Sequence, residues 1–338
     1  MLRRTALAAA ALLAATALTA CGGDGAGSGG DALVVYSGRA ENLIKPLLDQ
    51  LEKQAGIDLE VRYGGSAELA AQILEEGENR KADVFLSQDA GALGALGAEQ
   101  LLEPLPPAAL DAVPEKYRAK DGTWVGVSGR ARAFIYNPEL LAEKDLPKSV
   151  FDLVDPKWQG KIGIPPTNAS FQAFVTAMRV VSGEDRTRAW LAGIKKNAKI
   201  YENNIQIRDA VDAGELPAGL VNHYYLYEKI AEVGADKVKA RHYFFGNGDP
   251  GALVNVSGAG ILKGTKRRAD AEKFVQYMLG ADAQRYYADR TKEYPLTAGV
   301  QPTAGLPPLD SIEGPDIDLS QLASLKATLD LLAEVGLT

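Results

Sequence analysis

The chain has 338 residues, 46% of them hydrophobic and 24% charged, with 37 basic and 44 acidic side chains and a net charge of −7. That is the make-up of a globular protein with a substantial core and length for two ordinary domains, and its acidic balance excludes a general nucleic-acid binder. Two histidines, His223 and His242, leave little for a histidine-based zinc site or a catalytic triad, and a single cysteine, Cys21, excludes any disulfide within the chain.

The first residues read MLRRTALAAAALLAATALTACGG, in which Arg3 and Arg4 precede an Ala/Leu run too short to span a bilayer, ending in Leu18-Thr19-Ala20-Cys21. This is a secretory signal with a lipobox, so residues 1–20 are expected to be removed and Cys21 to carry the lipid. Residues 21–31, GGDGAGSGG at their centre, read as a flexible tether. The protein is therefore expected on the extracytoplasmic face of the cell membrane, touching it through the anchor alone, since no second apolar run is long enough to span. Without Arg3 and Arg4 the body carries 35 basic against 44 acidic residues, about −9 net.

Strands and helices then alternate. LVVY (33–36) precedes a helix whose apolar face is Ile44, Leu47, Leu48 and Leu51, closed near Gly56. IDLEVRY (57–63) and a Gly64-Gly65-Ser66 turn follow, with Ser66 placed to cap a helix carrying Leu69, Ile73 and Leu74. ADVFL (82–86) reads as a third buried strand. The pattern resumes with KIGIPP (161–166), a helix from Ser170, AKIYEN (198–203), LPAGLVN (216–222) and a helix through Leu226, Ile230 and Val233. Parallel strands need crossovers and the crossovers cover the sheet, so each half is expected to be an α/β unit.

Two stretches read as crossings between the units: GRARAFIYNP (129–138) and HYFFGNGDPGALVNVSG (242–258), while LVNVSGAGILKG (253–264) reads as a strand of the first unit. Together they imply a two-lobed clamshell with its ligand in the cleft at the carboxyl ends of strands. Lobe 1 is expected over 32–130 and 250–300, lobe 2 over 131–249 and 301–338.

The segment NHYYLYEK (222–229) gathers three phenols in a chain only 7% aromatic. At the turn from strand to helix, Tyr224 and Tyr225 can both face the cleft, whereas Tyr227 is expected to pack. PPTNASFQAF (165–174) brings Asn168 and Ser170 to a helix start that favours an anion. Arg39 and Arg130, each after a Ser-Gly pair, could pair with an anion or with a carboxylate, and Gln88 could donate to an oxyanion or serve as a polar strand end. No G-x-S-x-G, no H-E-x-x-H and no free thiol in the mature chain argue against an enzyme.

VVYSGRAE (34–41), KADVFLSQD (81–89), VGVSGRARAFIYN (125–137), IPPTNASF (164–171), LPAGLVNHYYLY (216–227) and EYPL (293–296) resemble the bacterial ferric-ion-binding, transferrin-like solute-binding proteins of ABC importers. The resemblance runs over nearly all of residues 32–338. It implies a type II periplasmic-binding-protein fold, ferric iron on Tyr224 and Tyr225, and a synergistic carbonate or phosphate held by Asn168, Ala169, Ser170, Asn204 and Asn222. It also implies an ABC permease as partner and a monomeric receptor. Where some members have a histidine and a glutamate in the first lobe this chain has Ala40 and Gln88, and where others have a third tyrosine it has Asn168. Those departures keep open a second expectation, an anionic organic solute such as a phosphonate or sugar phosphate on Asn168, Ser170, Asn204, Arg39 and Arg130.

Overall fold

A computed structural model describes residues 32–338; the signal segment, the tether and Cys21 lie outside the described residues. β1 (Leu33–Ser37) leads into α1 (Glu41–Ala55), which buries Ile44, Leu47, Leu48 and Leu51 and stops at Gly56 in the left-handed conformation, φ 63°. β2 (Leu59–Tyr63), α2 (Ser66–Glu76), β3 (Val84–Ser87) and α3 (Ala90–Ala98) follow. Gly65, not Ser66, holds the cap position of α2. The Ser66 hydroxyl instead accepts the Gln88 backbone N–H at 2.9 Å, joining the loops after β2 and β3. It lies so close to Gly38 that a Cβ there would sit 2.0 Å from the Ser66 oxygen, so only glycine fits.

The short α4 (Pro107–Leu110) precedes β4 (Trp124–Tyr136), buried at every position. Then come β5 (Ile162–Ile164), α5 (Ala169–Ser182), α6 (Glu184–Asn197), β6 (Ala198–Ile200), α7 (Asn204–Asp212), β7 (Ala218–Asn222), α8 (Tyr224–Val233) and β8 (Arg241–Tyr243). β9 (Val254–Ile261), α9 (Arg268–Leu279), α10 (Ala281–Tyr286), β10 (Tyr294–Pro295) and α11 (Leu325–Glu334) complete the order.

Strand order is β2-β1-β3-β9-β4-β7-β5-β6, with β10 and β8 also on β4. β1 runs parallel to β2 and β3, and β9 lies antiparallel between β3 and residues 124–131 of β4. In the second sheet β5 runs parallel to β6 and β7, while β7 and β8 lie antiparallel to residues 132–136 of β4. β4 therefore leaves one sheet and enters the other between Ala131 and Arg132. The return crossing is β8 to β9, turned at Asn247 and Gly248 with φ 56° and 73°. This is the two-lobed, type II architecture, with β9 in the first sheet as its pattern predicts.

The C-terminal segment touches both lobes. Residues 319–323 lie on α3, where a Cβ at Gly94 would meet the Ser320 carbonyl oxygen at 2.3 Å. α11 then packs on α5 through the Thr176 and Thr328 hydroxyls, 2.8 Å apart. Among the described residues no helix is long and apolar enough to cross a membrane.

Candidate functional site

β7 ends at Asn222, and His223 bends the chain into α8, placing Tyr224 and Tyr225 in its first turn. His223 is fully buried: its Nδ1 accepts the Ala131 N–H at 3.0 Å and its Nε2 donates to the Lys292 carbonyl at 2.9 Å. Both ring nitrogens are thus used in the neutral tautomer, and burial pulls the imidazole down to about 4. The ring packs 4.7 Å from Tyr294 and edge-on to Tyr224. His223 is a clamp that ties the tyrosines to the crossing point of β4 and to Lys292, itself at φ 58°.

The Tyr224 and Tyr225 rings lie 4.3 Å apart at 40°. The Asn222 amide donates to Tyr224 Oη at 3.5 Å. Tyr224 is buried and Tyr225 half-buried; burial, then its neighbour Tyr224, push the Tyr225 phenol up from its ordinary value. Left alone the second phenol is neutral, so only a cation at bonding distance would ionise it. Tyr227 turns away and donates to the Gly305 carbonyl at 2.8 Å, the packing role expected of it.

Beside the pair stands the start of α5. Asn168 caps it, with Oδ1 accepting from Ser170 N–H at 3.0 Å, Ser170 Oγ at 2.7 Å and Asn204 Nδ2 at 3.0 Å, and Ala169 begins the helix. Asn204 is fully buried and its own Oδ1 has no partner. From β4, Arg132 donates to Ser170 Oγ at 3.2 Å, Asn222 Oδ1 at 3.4 Å and the Leu220 carbonyl at 3.1 Å. Its guanidinium lies over Phe171 and Phe174, at 5.5 and 5.4 Å from the ring centres. It is 2% exposed, its Nε has no partner, and every partner it has is neutral. Burial lowers it to about 9, with Tyr225 and Tyr224 acting the other way, so it stays charged at neutral pH.

The first sheet contributes cations of its own. Arg39 donates through Nη1 to both Glu293 oxygens, at 2.9 and 3.0 Å, and leaves Nε and Nη2 unpartnered although it is 1% exposed. Ser128 donates to the same carboxylate. Burial opposes ionisation of Glu293, but Arg39 and then Arg130 outweigh it and hold the carboxyl below its usual range. Buried Arg130 donates to the Gln88 carbonyl, so Gln88 meets the site through its backbone. Arg39 and Arg130 thus bring two buried cations from the first sheet, and the charge of Arg130 opposes the upward push on Tyr225. Ala40 stands exposed at the cap of α1 with no side-chain bond.

Three residues at the site escape the sequence reading. Arg132 lies two places beyond Arg130, on the same face of a strand by its period of two, which was the available signal. Glu228 is four places beyond Tyr224 along α8; burial raises it to about 6, helped by Glu293. Glu293, inside EYPL, offered no local signal. Among the described residues no group of three or more His, Cys, Asp or Glu is gathered for a metal, so a hard cation here would depend on the phenols.

A family profile described as bacterial extracellular solute-binding protein matches residues 79–310. The Fe(3+)-binding periplasmic protein of Serratia marcescens is 36% identical over 337 residues, 99% of this chain and 99% of its own length. Among solved structures, iron-bound HitA from Pseudomonas aeruginosa superposes with a TM-score of 0.83 at 36% identity, covering 90% of this chain and 99% of that one. A Trichodesmium protein in complex with iron and citrate superposes with a TM-score of 0.79 at 29% identity, covering 91% and 100%.

Two outcomes follow for stability. Glu293→Ala strands Arg39 in the interior and should cost about 3–5 kcal/mol, read as a lower urea midpoint; an unchanged midpoint would contradict the pairing. His223 binds its proton at about 4 when folded against 6.5 ordinarily, so between those values the unfolded chain holds more protons. Stability should therefore be full above 6.5 and fall as pH drops towards 4, with His242, lowered by burial to about 3, adding to the fall, and His223→Gln should make that part of the curve shallower.

Proposed function

This chain belongs to the bacterial extracellular solute-binding proteins, and we propose that it binds ferric iron with a small oxyanion in the interlobe cleft and delivers the iron to an ABC permease. The observation that carries the reading is the pair Tyr224 and Tyr225, two phenols held side by side in the first turn of α8. Ferric ion is small, hard and triply charged and favours anionic oxygen. At bonding distance it offsets the cost of ionising phenols whose ordinary pKa is about 10. Two phenolates leave positive charge to be balanced, and carbonate or phosphate at Ser170, Asn204 and Arg132 would supply the remainder.

In this reading Arg39 and Arg130 belong to lobe 1, expected over 32–130 and 250–300, and the tyrosines to lobe 2, expected over 131–249 and 301–338. Cargo bridging the two would favour the closed clamshell, and β4 with the β8-to-β9 return would act as the hinge. The receptor acts as a monomer on the extracytoplasmic face, tethered through Cys21, and makes no covalent change to its cargo.

Mixing the purified protein with chelated ferric iron in bicarbonate or phosphate should give a visible phenolate-to-iron charge-transfer band. The Tyr224→Phe, Tyr225→Phe double variant should lose it. A wild-type protein that stays colourless with every common anion would hand the cleft to an anionic organic solute, the reading that Ala40 and Gln88 favour.

A further inference from the structure

At the start of α5 three donors converge on a single oxygen. Ser170 N–H, Ser170 Oγ and Asn204 Nδ2 all bond to Asn168 Oδ1, at 3.0, 2.7 and 3.0 Å. Arg132 extends the set by donating to the same Ser170 hydroxyl at 3.2 Å, and its Nε, in a side chain 2% exposed, has no partner. Asn204, fully buried, likewise leaves its Oδ1 unpaired. A backbone N–H, a hydroxyl and an amide around one oxygen, with a guanidinium on that same hydroxyl, form the donor set of an oxyanion site. Here the oxygen at its centre is a carboxamide carbonyl, which has the shape of that acceptor without its charge. Burying a guanidinium among neutral partners is unfavourable, and a neutral oxygen does not relieve it.

We propose that the Asn168 side chain is a built-in stand-in for the oxyanion and that, with Arg132, it determines how far this chain depends on an external anion. The inference rests on the oxyanion site assigned under the proposed function and deepens it. A carbonate, phosphate or carboxylate arriving at α5 takes over the bonds from Ser170 and Asn204, and the Asn168 side chain swings off the helix start. The helix stays capped in both arrangements, by Asn168 or by the anion, so neither leaves its first N–H groups without a partner. Arg132 breaks the tie, because only the external group brings the negative charge it lacks. Asn168 is therefore a competitor of the anion, and Arg132 the residue that selects a charged oxygen over a neutral one.

The test titrates inorganic phosphate into the metal-free protein by calorimetry. Asn168→Gly removes the competitor while remaining an acceptable cap, and should bind phosphate about fivefold tighter, the factor that one net hydrogen bond carries. Arg132→Gln should bind it at least about tenfold more weakly, as expected for loss of a charge-assisted bond. Asn168→Asp keeps the cap and fixes a carboxylate among the same donors. It should take up no phosphate and should develop the ferric band in buffer free of carbonate and phosphate. Weaker phosphate binding by Asn168→Gly than by wild type would make Asn168 a ligand of the anion and overturn the proposal. So would an Asn168→Asp protein that binds phosphate as wild type does. The phosphate arms need no iron, so a missing ferric band in every variant would count against the iron reading and leave these results to decide the role of Asn168.

Discussion

Arg132 is buried where β4 passes from one sheet to the other, and no carboxylate meets it there. A guanidinium taken out of water needs compensation, and here it finds only a hydroxyl, an amide oxygen, a backbone carbonyl and the faces of two phenylalanines. Arg39 and Arg130 bring two more buried cations, for which Glu293 is the one fully buried carboxylate among the groups described around them. The cleft is thus built with an excess of positive charge beside two phenols. A hard cation that ionises the phenols, together with an anion that answers Arg132, satisfies both requirements, and neither component alone does so.

The fold delivers these groups through a few long-range ties. β4 carries Arg130 and Arg132 on one face, yet because it changes sheets between them, one side chain reaches Gln88 of the first lobe and the other Ser170 of the second. The clamp of His223 fixes the tyrosines to the middle of that strand, so the crossing strand, helix α8 and the loop at Lys292 share one buried ring. Hinge motion about β4 would then be felt at the phenols directly, which is how cargo and closure can be linked.

Much of this was legible from the chain. The spacing of Ile44, Leu47, Leu48 and Leu51 marked the buried face of α1, Gly56 its end, and the strand-then-Tyr-Tyr order placed both phenols in the first turn of α8. What stayed hidden depends on contacts that no local pattern encodes. Arg39 and Glu293 are 254 residues apart, and EYPL looks like an ordinary strand entry. Period two put Arg132 on the face of Arg130, but could not say that the strand would meet a different lobe two residues later. Ser66 has the chemistry of a helix cap, yet its hydroxyl is drawn across to Gln88, a choice fixed by the close approach at Gly38.

The central claim is that iron and oxyanion occupy the cleft as a pair, because its phenols favour a hard cation and the uncompensated Arg132 an anion. Native mass spectrometry of the protein loaded with ferric iron in bicarbonate buffer tests this most directly. The account predicts one iron and one oxyanion gained together on each chain, with no population carrying iron alone. A spectrum dominated by iron without an anion, or by the anion with no uptake of iron, would contradict it.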